Sequence, residues 1–289
     1  MERGESGMIR EILADEIRAA VEKLFVEANT RLPEDVESAL RKAYAGEKSE
    51  VARSVLDDVL QNAAIAREQN VAMCQDTGLS YMFVELGQDV HIAGGGLNEA
   101  INEGVRDAYR GAYLRKSVVA DPIFRRKNTG DNTPAVIYVE VVPGDRLTLI
   151  ALPKGTGSEN MSALAMLVPA DGPSGIKRFI VETVERAGPN PCPPVIIGVG
   201  VGGMMDRAAM LAKKALLRPV GQPSSDPLVA ELEQETLKDI NALGFGAGGM
   251  GGTVTALAVH IETFPTHIGA LPVAVNIQCH AARHAECVL

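Results

Sequence analysis

The run Cys74-Gln75-Asp76-Thr77-Gly78 puts a soft metal ligand, an amide, a carboxylate and a turn-forming glycine at nearly adjacent positions. Sulfur suits a soft cation, and a neighbouring carboxylate can move a proton beside it. Two further cysteines stand in comparable places. Cys192 lies in Asn190-Pro191-Cys192-Pro193-Pro194, where three prolines in five residues exclude a helix or a central strand. Cys279 closes an apolar strand pattern and precedes His280. All three are expected at element ends, where side chains from distant parts of a chain converge.

The thiols have a bland alternative. Cytosolic cysteines stay reduced and pack as small hydrophobes, and no C-x-x-C spacing is present. Thiolates suit zinc or an iron–sulfur cluster. A usual cluster takes four cysteines, so three would leave one iron open to water or substrate. Such a Lewis acid makes hydroxide a better leaving group. Spacing permits this chemistry without requiring it. The tail offers a second set, Cys279-His280-x3-His284-x2-Cys287, with zinc ligand types. Cys287 is two residues from the C-terminus, where chains fray.

Two glycine-rich stretches invite nucleotide readings. Gly198-Val-Gly200-Val-Gly-Gly203 matches G-x-G-x-x-G between a strand and a helix pattern, but no strand precedes the acidic candidate Asp226. Gly244–Gly252 lacks the Lys-Ser/Thr of a phosphate loop and reads as a mobile or close-approach loop. A net charge of −9, 4% aromatics and no Trp argue against a nucleic-acid surface. No apolar run reaches the roughly 18 residues a membrane span needs, and residues 1–7 read as a disordered leader without a signal-peptide core. A cytoplasmic location is expected.

The elements that must position these residues follow from periodicity. Apolar steps of three and four predict a helix over 9–28. Pro33 suits the start of a helix over 34–45, and Ser49 can cap a third helix to about residue 70, with Val51, Val55, Val59 and Leu60 inward. Residues 79–86 read as a strand and 98–115 as a helix. Residues 134–142 and 146–152 read as a hairpin around Pro143-Gly-Asp145. Ser158 is placed to cap a following helix. Further helices are expected over 175–187, 206–217 and 228–243, with strands over 195–201, 254–261 and 271–278. The expected fold is α+β: a single domain over 8–289, with N-terminal helices and mixed β-sheets flanked by helices.

Four motifs, Cys74-Gln-Asp-Thr-Gly78, Pro153-Lys-Gly-Thr-Gly-Ser-Glu-Asn160, Asn190-Pro-Cys-Pro-Pro194 and Pro265-Thr-His-Ile-Gly269 with Asn276-Ile-Gln-Cys-His280, resemble those of class I iron–sulfur fumarate hydratases and L-tartrate dehydratases. The likeness runs from about residue 10 to the end, and matches the α region of enzymes that are either fused or split into α and β subunits. It implies a [4Fe-4S] cluster on Cys74, Cys192 and Cys279, with Cys287 incidental. It implies substrate contacts from Gln75, Asp76, Arg115, Gly155, Gly157 and His267. Asp76 would be the general acid, assisted by His267, and the base would come from a β subunit in a hetero-oligomer. The expected reaction is hydration of fumarate to (S)-malate, with L(+)-tartrate dehydration as the alternative. A zinc-bound, non-catalytic structural subunit is the alternative of another class.

Overall fold

The computed structural model describes residues 9–289, so the expected leader over 1–7 lies outside the described residues. In chain order the elements are β1 (Arg10–Leu13), α1 (Ala14–Thr30), α2 (Glu34–Gly46), α3 (Glu50–Gln69), β2 (Leu79–Gly87), β3 (Val90–Ala93) and α4 (Leu97–Gly111). Then come β4 (Val136–Val142), β5 (Leu147–Lys154), α5 (Thr156–Glu159), β6 (Ala163–Leu167), α6 (Gly172–Ala187) and β7 (Val195–Gly202). The last are α7 (Met205–Ala215), α8 (Pro227–Ala242), β8 (Ala256–Phe264), β9 (Leu271–Gln278) and β10 (Ala285–Val288). The class is α+β, as expected, and the chain resolves into two compact units. No described helix is long and apolar enough to cross a membrane.

Of the described residues, the first unit comprises those up to Leu32, Ile65–Gly155 and Arg283–Leu289. Its sheet has the order β10-β5-β2-β4. Helices α1 and α4 bury Ile17, Val21, Phe25, Ile101, Val105 and Tyr109 in one core with Leu147 and Leu149 of β5. The expected hairpin does not form. β2 lies between its two strands, parallel to β4 and antiparallel to β5. The turn after β4 instead caps the end of β2: Gly87 N–H donates to Arg146 O at 2.8 Å, and Asp89 N–H to Gly144 O at 2.9 Å. The first expected helix also begins late. Arg10–Leu13 pair parallel to Val90–Ala93, a ladder that local periodicity does not announce. The helix expected over 98–115 stops at Gly111, which leaves Arg115 in the loop that follows.

The second unit comprises Pro33–Ala64 and Thr156–Ala282. Its sheet has the order β6-β9-β7-β8. Ile197 and Val199 of β7 share a core with Ile180 of α6 and Ile240 of α8. Successive strand residues face opposite sides, so Gly198 and Gly200 turn to the other face, against α7. A Cβ there would stand 2.2 Å from Ala212 O and 2.0 Å from Ala208 O. The glycine repeat is therefore helix-packing surface inside a strand, and Asp226 caps α8 by accepting Leu228 N–H at 2.9 Å. α3 buries Ala52, Leu56 and Ala63 and leaves Val51 56% exposed, one residue off the expected face. Alanine permits the close approach: a Cβ on Gly252 would stand 2.8 Å from that of Ala52. Ser158 lies inside the short α5, which β6 rather than a helix follows.

Candidate active site

Within the first unit, the Cys74–Gly78 loop is tied down on several sides. Met73 N–H donates to Asn29 O at 3.0 Å. Gly78 N–H donates to Asp76 Oδ1 at 3.0 Å, a side-chain turn that aims the carboxylate. Thr77 Oγ1 donates to Arg115 O at 2.9 Å, which joins the loop to the Arg115 segment. The Tyr109 hydroxyl reaches Thr77 O at 2.6 Å and Gly78 O at 3.2 Å. Burial pushes the Tyr109 phenol up to about 12, so it stays a neutral donor. Gly78 has φ +80 and a Cβ there would meet Lys154 N at 2.6 Å, so only glycine fits.

Gly155 follows β5 and is buried beside Asp76. A Cβ at Gly155 would stand 3.4 Å from Asp76 Oδ2 and 3.4 Å from Arg283 Nη2. The first unit thus holds Cys74, Gln75, Asp76, Arg115 and Gly155 of the expected set. Cys74 and Asp76 are half-buried, while Gln75 and Arg115 are exposed. Lys154 and Arg283, each 1% exposed, were missed by the sequence reading. Lys154 lies within the Pro153–Asn160 motif, where its charge is a usable signal. Arg283 carried none.

The second unit holds Cys192, Cys279, Gly157 and His267. Cys192 sits at φ +56, and His280 N–H donates to Cys192 O at 3.3 Å, which joins the two cysteine segments. That bond lies beyond the end of the antiparallel β7–β9 ladder, in which Ile196 faces Gln278. Gly248 N–H donates to Pro193 O at 2.8 Å, so the glycine-rich loop buttresses the proline frame by close approach. Glu47 holds that loop in turn, accepting Thr253 N–H at 2.8 Å and Thr253 Oγ1–H at 3.0 Å.

The Pro153–Asn160 motif, through Glu159, also meets the Asn276–His280 motif. Glu159 accepts from Lys213 Nζ through one oxygen and from Asn276 Nδ2 at 2.8 Å through the other. Burial pulls the Lys213 ammonium below its usual value against the opposing pull of Glu159. His267 is exposed, and its Nδ1 accepts Gly269 N–H at 3.1 Å. The neutral ring therefore carries its proton on Nε2. Gly157 is exposed in α5. A cleft of about 530 Å³ in this unit, lined by Asp35, Lys42 and Asn241 among others, contains none of these residues.

Among the described residues no three His, Cys, Asp or Glu side chains form a ready-made metal site. The donors themselves suit a soft centre. None of the four cysteines is in a disulfide. The Cys192 and Cys279 sulfurs each lie 3.9 Å from a carbonyl, of Asn190 and Ala281, contacts too weak to compete with a metal. Cys287 differs: it lies in β10, packs on the first core, and burial pushes its thiol up, away from the thiolate a ligand needs. Its strand is paired with β5, so the tail is not frayed there.

Comparison with known proteins places the chain. The profile of the family described as fumarate hydratase (Fumerase) matches residues 18–288. A Methanocaldococcus jannaschii protein, provisionally named L(+)-tartrate dehydratase subunit alpha, is 45% identical over 274 residues, which cover 93% of this chain and 96% of that protein. The L(+)-tartrate dehydratase subunit alpha of Escherichia coli UTI89 is 33% identical over 257 residues, covering 88% and 84%. The chain belongs to the class I fumarate hydratase and tartrate dehydratase family of hydro-lyases.

Proposed function

We propose that this chain is the cluster-bearing α subunit of an L(+)-tartrate dehydratase, whose site a β subunit completes. One observation carries the choice of substrate: the near full-length likeness to relatives named for tartrate dehydration. The expectation of fumarate gives way to it; L(+)-tartrate and (S)-malate, the hydroxy acid of the fumarate reaction, both present two carboxylates and a leaving hydroxyl, so the same site chemistry serves either. The products are oxaloacetate and water.

Cys74, Cys192 and Cys279 would hold a [4Fe-4S] cluster. When bound, it supplies a Lewis-acidic iron that the three thiolates leave open. The chain's own residues do the rest. Asp76, aimed by Gly78 N–H, gives a proton from Oδ2 to the departing hydroxyl. Arg115 pairs its planar fork with a substrate carboxylate. Gly155 has no side chain to fill the space beside Asp76 Oδ2. Gln75 and Gly157 contact the substrate, and His267 offers Nε2–H as a second donor. The base that removes the carbon-bound proton belongs to the β subunit. Orientation and fixed charge supply most of the acceleration.

The test is co-expression with a β subunit and anaerobic assay on L(+)-tartrate, (S)-malate and fumarate. The reading expects kcat/KM for L(+)-tartrate to exceed the others. Turnover of malate and fumarate with none of tartrate would return the assignment to fumarate hydratase.

A further inference from the structure

Arg283 is the largest fully buried side chain among the described residues, at 1% exposure. Its Nη1 donates to Asn29 Oδ1 at 3.2 Å. Asn29 is itself fully buried, and its Nδ2 donates to Phe25 O at 2.9 Å. The amide is thereby oriented, and it clamps the guanidinium without neutralising it. Arg283 Nε has no hydrogen-bond partner, and none of the ion pairs among the described residues includes Arg283.

A buried guanidinium without an ion-pair partner is costly. The other edge is directed: Nη2 borders Gly155 at the point that Asp76 Oδ2 also borders. Both charges act on the Tyr109 phenol, Arg283 favouring its ionised form and Asp76 opposing it. The cation reaches this place because the chain returns to the first unit at Arg283, and β10 pairs there with β5.

We propose that Arg283 is a further substrate-binding residue, whose Nη2 edge beside Gly155 and Asp76 takes one carboxylate of a small dicarboxylate. The clamp by Asn29 presets the fork, so little side-chain entropy is lost on binding. The inference rests on the reading of Asp76 as a substrate-facing residue.

The test uses Arg283→Gln and Arg283→Lys in the assembled α–β complex, kept anaerobic. Succinate, a non-reacting dicarboxylate, is titrated by calorimetry, and kcat and KM are measured on whichever substrate the wild type turns over. A charged hydrogen bond to an anion predicts a ten- to hundredfold weaker Kd, roughly, for R283Q, with KM rising in parallel and kcat changing less. R283K should lie between, since an ammonium keeps the charge and loses the fork. Succinate affinity within about twofold of wild type in a folded R283Q would overturn the inference. If R283Q does not fold, unchanged succinate affinity in R283K overturns it instead. Failure of the tartrate reading shows separately, as wild type that does not dehydrate L(+)-tartrate, and succinate binding still decides the role of Arg283.

Discussion

Glu47→Gln is a small change with a large expected effect. Glu47 is 4% exposed and lies between α2 and α3. Its Oε1 accepts the N–H groups of Lys48 at 2.8 Å and Ser49 at 3.0 Å. Its Oε2 accepts both donors of Thr253, which close the glycine-rich loop that supports Pro193 next to Cys192. Burial alone would raise its pKa, but the N–H groups of Ser49 and Thr253 outweigh it and hold the carboxyl below its usual value. Glutamine keeps the shape, yet turns an NH2 toward two of the four donors. Bonds to a charged acceptor are worth about 1.5–3 kcal/mol each, and a buried donor left facing another donor costs a similar amount. The expected loss is about 3–5 kcal/mol, a large share of a typical domain stability. Urea unfolding at pH 7 measures it, and the alkylation rate of Cys192 in the cluster-free protein should rise as its frame loosens. The pH dependence follows from the depressed pKa. The contribution is complete above the unfolded carboxyl value, near 4.3, and disappears as pH falls through the folded value. Wild type and E47Q should therefore converge in acid. A difference under about 0.5 kcal/mol at pH 7 would refute the argument.

His260 is held neutral by burial and by the Arg218 charge, which lower its pKa to about 4. Unfolding restores a value near 6.5, so the folded state binds fewer protons between these values. His260 should therefore remove about 3 kcal/mol of stability as pH falls from 6.5 to 4, an acid loss that urea melts of His260→Asn should show diminished. Gly200→Ala places a Cβ 2.0 Å from Ala208 O, so thermal unfolding should show a loss of about 3 kcal/mol or more; a shift within a degree of wild type would contradict the packing. Tyr109→Phe removes the hydroxyl that meets Thr77 O, and should cost about 1–2 kcal/mol in urea and lower kcat more than it changes KM. An iron left open to solvent predicts loss of activity in air, so full turnover after prolonged aerobic incubation would count against the cluster.

What could be read from the sequence was local. The β7 strand and helices α6, α7 and α8 carry self-contained apolar patterns, and they stand within a few residues of where periodicity puts them. The hairpin failed because β2, some fifty residues upstream, takes the place between β4 and β5 that adjacent strands would otherwise share. The buried face of α3 was misjudged because it is made largely of alanines, Ala52, Ala63 and Ala66 with Leu56, while Val51 is exposed, so the larger valines misplace it. The candidate site followed the same rule. Asp76, Gly155 and the cysteines lie in compact, unusual motifs that announce themselves. Glu47 is buried because a loop about 200 residues away folds over it, and Arg283 because the chain returns to its first unit. Neither event leaves a mark in the neighbouring residues.

The central claim is a three-thiolate cluster in an enzyme that removes water. Iron and acid-labile sulfide analysis of the anaerobically purified α–β complex tests it most directly, on wild type and the four single Cys→Ser variants. The account predicts about four iron and four sulfide per α subunit in wild type and in Cys287→Ser. It predicts depleted clusters and lost activity in Cys74→Ser, Cys192→Ser and Cys279→Ser. A colourless wild type with stoichiometric zinc, or a Cys192→Ser variant with its cluster and turnover intact, would contradict it.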